Sequence, residues 1–290
     1  MFRVRLFLKS TPATPAGANQ DAPSSYSELV DADDNGLRHQ VAVLKHQVGN
    51  SNVAEASADC GRLFPNEGLV MGLTERFRRE YSELWEQTVA HPFVIEMGRG
   101  SLPTDKFKAY FLQDYLFLRH LVSFTALGIA KAPDLERAHR LDQFLSGILD
   151  SEHDLFARVF KDLGLSEEQY MSAEATPTTQ AFGDFIVRTG LEGDFHSIIT
   201  ALYVTEGTYL DWAARLLEQG ERPSQPMYQE WINIHGPDVL GNFVDWLRVQ
   251  LDSVPADTIN ATKRVFNTTL RYEYLFWEAA YQGDLWPDQR

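Results

Sequence analysis

The chain has 290 residues, 44% of them hydrophobic and 23% charged, enough to bury a sizeable core. Its formal charge of −15 repels phosphate backbones and anionic bilayers, which argues against partnership with nucleic acid or a membrane surface. The single cysteine, Cys60, excludes an intrachain disulfide framework and any cysteine-built zinc or iron–sulfur site, and the expected compartment is a reducing cytoplasm.

Residues 1–70 run through a Ser, Thr, Pro, Ala and Gly-rich stretch, Ser10 to Ser25, into the acidic Asp31–Asp34. Apolar patches such as Val41–Leu44 are too short to offset the entropy of ordering, so a disordered arm is expected. Two other readings of this segment stay open. Arg3, Arg5 and Lys9 without an acid in the first twenty residues suit an organellar transit peptide, and Met71 just before the first strong helix suits a non-native start. Residues 71–290 form the expected folded domain.

From Thr74 the apolar periodicity predicts helices at about 74–90, 104–130, 134–163, 178–190, 195–218, 225–234, 238–252 and 257–281. Turn signals separate them: His91-Pro92, Leu102-Pro103, Ala132-Pro133, Gly164, Thr176-Pro177, Gly193, Gly220 to Pro226, Gly236-Pro237 and Val254-Pro255. No segment alternates with a period of two, and nothing repeats every 30–40 residues or so. Short connections favour antiparallel neighbours. The fold class predicted is all-α, a single multi-helix bundle.

Three of these helices place an acid where a core residue belongs. Tyr110, Asp114, Phe117 and Leu121 share one helical face; Ile199, Leu202, Glu206, Tyr209, Ala213 and Leu216 share another; Phe266, Leu270, Glu273, Trp277 and Tyr281 share a third. An ionised, unpaired carboxylate in such a seam costs several kcal/mol, so each must be protonated, paired or given a ligand. A core Tyr, His or Arg could satisfy any one of them. Three together point to a site, because burial and mutual repulsion spread carboxyl pKa values into the range of acid–base catalysis near neutrality.

Asp150 and His153 have the i, i+3 spacing of a carboxylate–histidine metal motif, but the second motif that a di-metal bundle needs is missing, so no metal and no cofactor are called for. His139 and Asp142 share that spacing, and His196 sits near a helix start. His91 reads as a helix-end residue, His120 as bundle-lining, and His235 as a C-terminal imidazole able to bond the last carbonyls.

The segments His91-Pro-Phe, Leu102-Pro-Thr-Asp-Lys-Phe-Lys-Ala-Tyr, Leu112-Gln-Asp114, Tyr228-Gln-Glu-Trp231 and Tyr272-Glu273-Tyr-Leu-Phe-Trp277 resemble the TenA (thiaminase II) family in order and spacing across 71–290. The resemblance implies a haem-oxygenase-like fold without haem, assembled as a homo-oligomer, usually a tetramer. It also implies hydrolysis of 4-amino-5-aminomethyl-2-methylpyrimidine, or its N-formyl derivative, to the hydroxymethylpyrimidine used to rebuild thiamin. Asp114 matches the aspartate that grips the aminopyrimidine, and Glu273 the catalytic glutamate. Thr205 stands where thiaminase members carry their nucleophilic cysteine, with Glu206 directly after it. This is similar to the branch in which glutamate replaces that cysteine. Phe117, Phe182 and His235 replace pocket tyrosines, while Tyr209 is retained.

The expected mechanism has Asp114 holding the ring's exocyclic amine, with Phe117, Phe182 and Trp277 packed around the ring. Glu206 and Glu273 divide proton donation and water activation in an order the sequence leaves open, and His235 and Tyr209 position or relay protons. Two alternatives remain at this point. One is a non-haem di-metal oxidase drawing on Asp150, Glu152, His153, Glu206, His235 and Glu273; the other is a non-enzymatic interaction or regulatory module.

Overall fold

Helix follows helix from Leu73 onward in the computed structural model, which describes residues 71–289 without the side chains of residues 151–153. The expectations for residues 1–70, Cys60 among them, lie outside the described residues. The elements are α1 (Leu73–Glu80), α2 (Ser82–Val89), α3 (Pro92–Gly98), α4 (Thr104–Lys131) and α5 (Leu135–Gly147). A π segment (Ile148–Glu152) leads into α6 (His153–Asp162) and α7 (Glu167–Met171). Then come α8 (Pro177–Glu192), α9 (Phe195–Glu218), α10 (Pro226–Ile234), α11 (Pro237–Asp252) and α12 (Ile259–Gln282), with a final 3-10 turn (Pro287–Gln289). The described residues contain no strand, and none of their helices is long and apolar enough to cross a membrane.

Local chemistry sets these boundaries. Proline occupies the first turn of α3, α8, α10 and α11, where its missing N–H costs nothing. Asp194 caps α9 by accepting from the Ser197 N–H at 2.8 Å. Helix α4 stops before Ala132-Pro133, and its last residue, Lys131, donates to the carbonyls of Leu191 (2.9 Å) and Gly193 (2.5 Å). That cation satisfies orphan carbonyls at the end of α8 and joins two helices that pack along their length. Gly183 allows their close approach, since a Cβ there would lie 2.5 Å from the His120 ring.

Helix α9 is buried on nearly every side, from Phe195 through Ile198, Leu202 and Val204 to Trp212, so it forms the centre against which α11 and α12 pack. Asp211 on α9 ties the first two helices to it. One of its oxygens accepts from Arg78 and from the Trp85 indole, both at 2.8 Å, and the other from Arg215 at 2.7 Å.

Three boundaries differ from the sequence expectation. The helix expected over 74–90 breaks at Tyr81 (φ −106°, ψ 24°), and the rings of Phe77, Tyr81 and Trp85 surround Phe266 at 5.3, 5.8 and 6.1 Å. His91-Pro92 starts a helix as well as ending one: the His91 Nδ1 accepts from the Phe93 N–H at 3.2 Å, capping α3. The helix expected over 134–163 passes through the π segment, where the polar run Asp150 to Asp154 interrupts the apolar stripe between Ile148 and Leu155.

Candidate active site

Asp114 comes from α4, Glu206 from α9 and Glu273 from α12, and all three line one cavity of about 480 Å³. Asp114 and Glu273 are buried, 6% and 3% exposed, while Glu206 is half-buried. Burial first, then the neighbouring Glu206 and Asp114, push the Glu273 carboxyl well above the usual carboxylate range. Three acids in one low-dielectric wall oppose one another's ionisation, and the shift favours the neutral form of Glu273.

Thr205, beside Glu206, has its hydroxyl 3.1 Å from the Glu206 Oε1 and 3.1 Å from the Leu202 carbonyl. Its single proton is shared between those two acceptors, and through it the hydroxyl steadies a carboxylate oxygen. On the next turn of α9, the Tyr209 hydroxyl lies 2.8 Å from that of Tyr110. Burial lifts both phenols well above their ordinary pKa, with Asp114 and Glu273 adding to the effect, so both remain protonated.

His235 follows the last turn of α10, and its Nδ1 lies 2.8 Å from the Trp231 carbonyl oxygen. A carbonyl only accepts, so Nδ1 carries the hydrogen and Nε2 keeps a lone pair in the neutral ring. Burial lowers the His235 pKa to about 4, outweighing that bond, which leaves a neutral imidazole in the cavity wall. The sequence-based role for this residue, bonding terminal carbonyls, is what the structure shows.

The aromatic wall comprises Phe117 and Phe182, with ring centres 4.6 Å apart, and Phe276 beside them at 5.8 Å from Phe117. Trp277, expected to touch a bound ring, does not line the cavity. It stacks behind, 5.6 Å from Tyr209 and 4.9 Å from Tyr110. Phe276 occupies the cavity-facing place instead. The sequence reading also missed Arg140, Gln143 and Phe144 on α5 and Leu240 and Phe243 on α11, which line it as well. Arg140 and Gln143 read as solvated helix residues, and Phe144, Leu240 and Phe243 as ordinary core, so neither group gives a sign of the cavity between them.

Among the described residues, no group of three or more His, Cys, Asp and Glu side chains is placed to hold a metal ion. The side chains of Glu152 and His153, named for the di-metal alternative, lie outside the described residues. His139 and Asp142 are exposed on α5, 4.0 Å apart, and take no part in the cavity.

A helical bundle that closes three acids and an aromatic wall around one cavity defines a small-molecule site. The chain belongs to the TENA/THI-4/PQQC family, which residues 78–283 match. It is 31% identical over 222 residues to an aminopyrimidine aminohydrolase of Bacillus subtilis (strain 168), covering 75% of this chain and 93% of that one. It is 28% identical over 217 residues to an aminopyrimidine aminohydrolase of Helicobacter pylori, covering 73% of this chain and all (100%) of the relative. A solved TenA homologue protein from P. horikoshii OT3 superposes with a TM-score of 0.68 at 28% identity, covering 73% of this chain and 100% of that structure. The fold is the TenA, haem-oxygenase-like bundle.

Proposed function

We propose that this protein is an aminopyrimidine aminohydrolase of thiamin salvage, hydrolysing 4-amino-5-aminomethyl-2-methylpyrimidine, or its N-formyl derivative, to the hydroxymethylpyrimidine. The observation that carries the reading is the cavity with Asp114, Glu206 and Glu273 on three separate helices and an aromatic wall beside them. The curated relatives of the same name support it.

Asp114, ionised, accepts hydrogen bonds from the ring's exocyclic amine and fixes its orientation. Phe117 and Phe182 pack on the ring. Glu273, neutral in its buried place, donates its proton to the departing nitrogen, and Glu206, the more exposed acid, takes a proton from water. Water oxygen bonds to the exocyclic methylene carbon as the carbon–nitrogen bond breaks, and ammonia leaves from the aminomethyl substrate or formamide from its N-formyl derivative. Glu206 then carries a proton from water and Glu273 is ionised, and exchange with solvent restores both. Tyr209 and the neutral His235 orient the water and the amine; Thr205 holds Glu206 in place. Cysteine-dependent thiaminase chemistry does not follow from this set, since Thr205 stands where those members carry their nucleophilic cysteine.

The catalytic domain is residues 71–290, working in the cytoplasm as a homo-oligomer, a tetramer by resemblance. Leu135, Leu191 and Val249, at 88%, 61% and 58% exposure, are apolar residues that such an assembly would cover. The test of function is incubation of the purified protein with aminomethylpyrimidine, its formyl derivative and thiamin, with products followed by chromatography. Hydroxymethylpyrimidine from the first two and intact thiamin are expected. Absence of product from both pyrimidines would overturn the assignment.

A further inference from the structure

The cavity is much larger than the substrate just assigned. The ten non-hydrogen atoms of the aminopyrimidine fill roughly a third of about 480 Å³ at interior packing density. The remaining volume is not random space. The buried acids Asp114 and Glu273 mark its inner end, whereas Val239, 64% exposed, and the Arg158–Glu230 pair belong to its outer rim. Between them the wall is apolar, built by Leu240 and by Phe144 stacked on Phe243 with ring centres 4.2 Å apart.

Two guanidinium groups line this cavity, and they differ. Arg158 is neutralised by a two-pronged bond to Glu230, at 2.7 and 3.1 Å. Arg140, half-buried on α5, has a neutral partner, the Gln143 side-chain oxygen at 3.1 Å, and its charge lies 5.6 Å from the Phe243 ring centre. Among the described residues no carboxylate pairs with it, in a chain with 41 acidic against 26 basic residues. A half-buried cation left unneutralised in a ligand cavity is a place for an anion.

We infer that the outer part of this cavity is a second subsite, and that the protein accepts aminomethylpyrimidines whose amine nitrogen carries an apolar arm ending in an anion. The inference rests on the aminohydrolase reading and extends it to the leaving group. The ring sits against the acids, the arm runs along Phe144, Leu240 and Phe243, and the anionic end meets Arg140. The bond broken is the same: water oxygen joins the methylene carbon, and the arm departs as a primary amine after taking the proton of Glu273. The shared chemistry of the end group is negative charge, which a carboxylate or a phosphate supplies.

Four substrates separate the outcomes: the unsubstituted aminomethylpyrimidine and three secondary amines of equal arm length, ending in carboxylate, phosphate or neutral carboxamide. Hydrolysis of at least one anionic arm with kcat/KM about tenfold above the carboxamide is expected, from one charge-assisted bond. Arg140→Gln should bring that ratio close to one, and Arg140→Glu should invert it below one. Turnover of the unsubstituted amine with no anionic preference, or a preference that survives Arg140→Gln, would overturn the subsite while leaving the activity intact. No turnover of any of the four would bring down the aminohydrolase reading and the subsite with it.

Discussion

Asp211 and Glu206 leave the same helix little more than one turn apart, and their surroundings are opposite. Asp211 is held by two guanidinium groups and an indole N–H, so its charge is fully used in fastening α1 and α2 to α9. Glu206 lines a cavity with Asp114 and Glu273, and its charge helps to keep Glu273 protonated. An acid surrounded by cations is a fastener; an acid among acids is a store of protons. The contrast explains why one bundle can hold both without a metal or cofactor being called on in the proposed chemistry.

Substitutions should separate the two kinds of acid. The largest effect is expected from Glu206→Gln, which should lower turnover by about 10²–10⁴ while the far-ultraviolet circular dichroism stays that of the wild type. Turnover near wild type would move Glu206 out of the mechanism. A pH effect of up to roughly 3 kcal/mol is expected at His235, whose folded pKa of about 4 lies below the ordinary 6.5. Above pH 6.5 both states are neutral and nothing is lost. Between 6.5 and about 4 the unfolded chain binds a proton that the folded one refuses, so stability declines as pH falls through that window. Urea midpoints at the two ends of the window should show a smaller decline for His235→Asn than for wild type.

Asp211→Ala should cost roughly 1–3 kcal/mol of stability, reduced from the buried-pair range because Arg78 and Arg215 are about one-third exposed, 34% and 36%. Its kcat should remain that of the wild type, and a collapse of kcat with unchanged melting would contradict its role as a fastener. Asp114→Asn should weaken pyrimidine binding about tenfold by calorimetry, and an unchanged Kd would remove Asp114 from ring recognition.

The acid trio was legible because a carboxylate among Tyr110, Phe117 and Leu121, or among Phe266, Leu270 and Trp277, interrupts an otherwise apolar helical stripe. Helices α4, α9 and α12 were legible for the same reason. What the stripe does not carry is rotation within it. Trp277 and Phe276 are adjacent, yet Phe276 lines the cavity and Trp277 stacks behind Tyr209. Arg140 was missed because an arginine on a helix as polar as α5 looks like any solvated charge. The break at Tyr81 was invisible because the apolar stripe continues across it and tertiary packing around Phe266 governs it, while a polar run such as Asp150 to Asp154 does not by itself tell a π turn from an α turn.

The proposed chemistry requires Glu273 to be protonated near neutral pH. Difference infrared spectra of wild type and Glu273→Gln, recorded from pH 5 to 9, read that carboxyl directly. A protonated-carboxyl band that persists at pH 7 in the wild type and is absent from Glu273→Gln is predicted. A carboxyl already ionised at pH 6 would contradict the proton store on which the proposed chemistry depends.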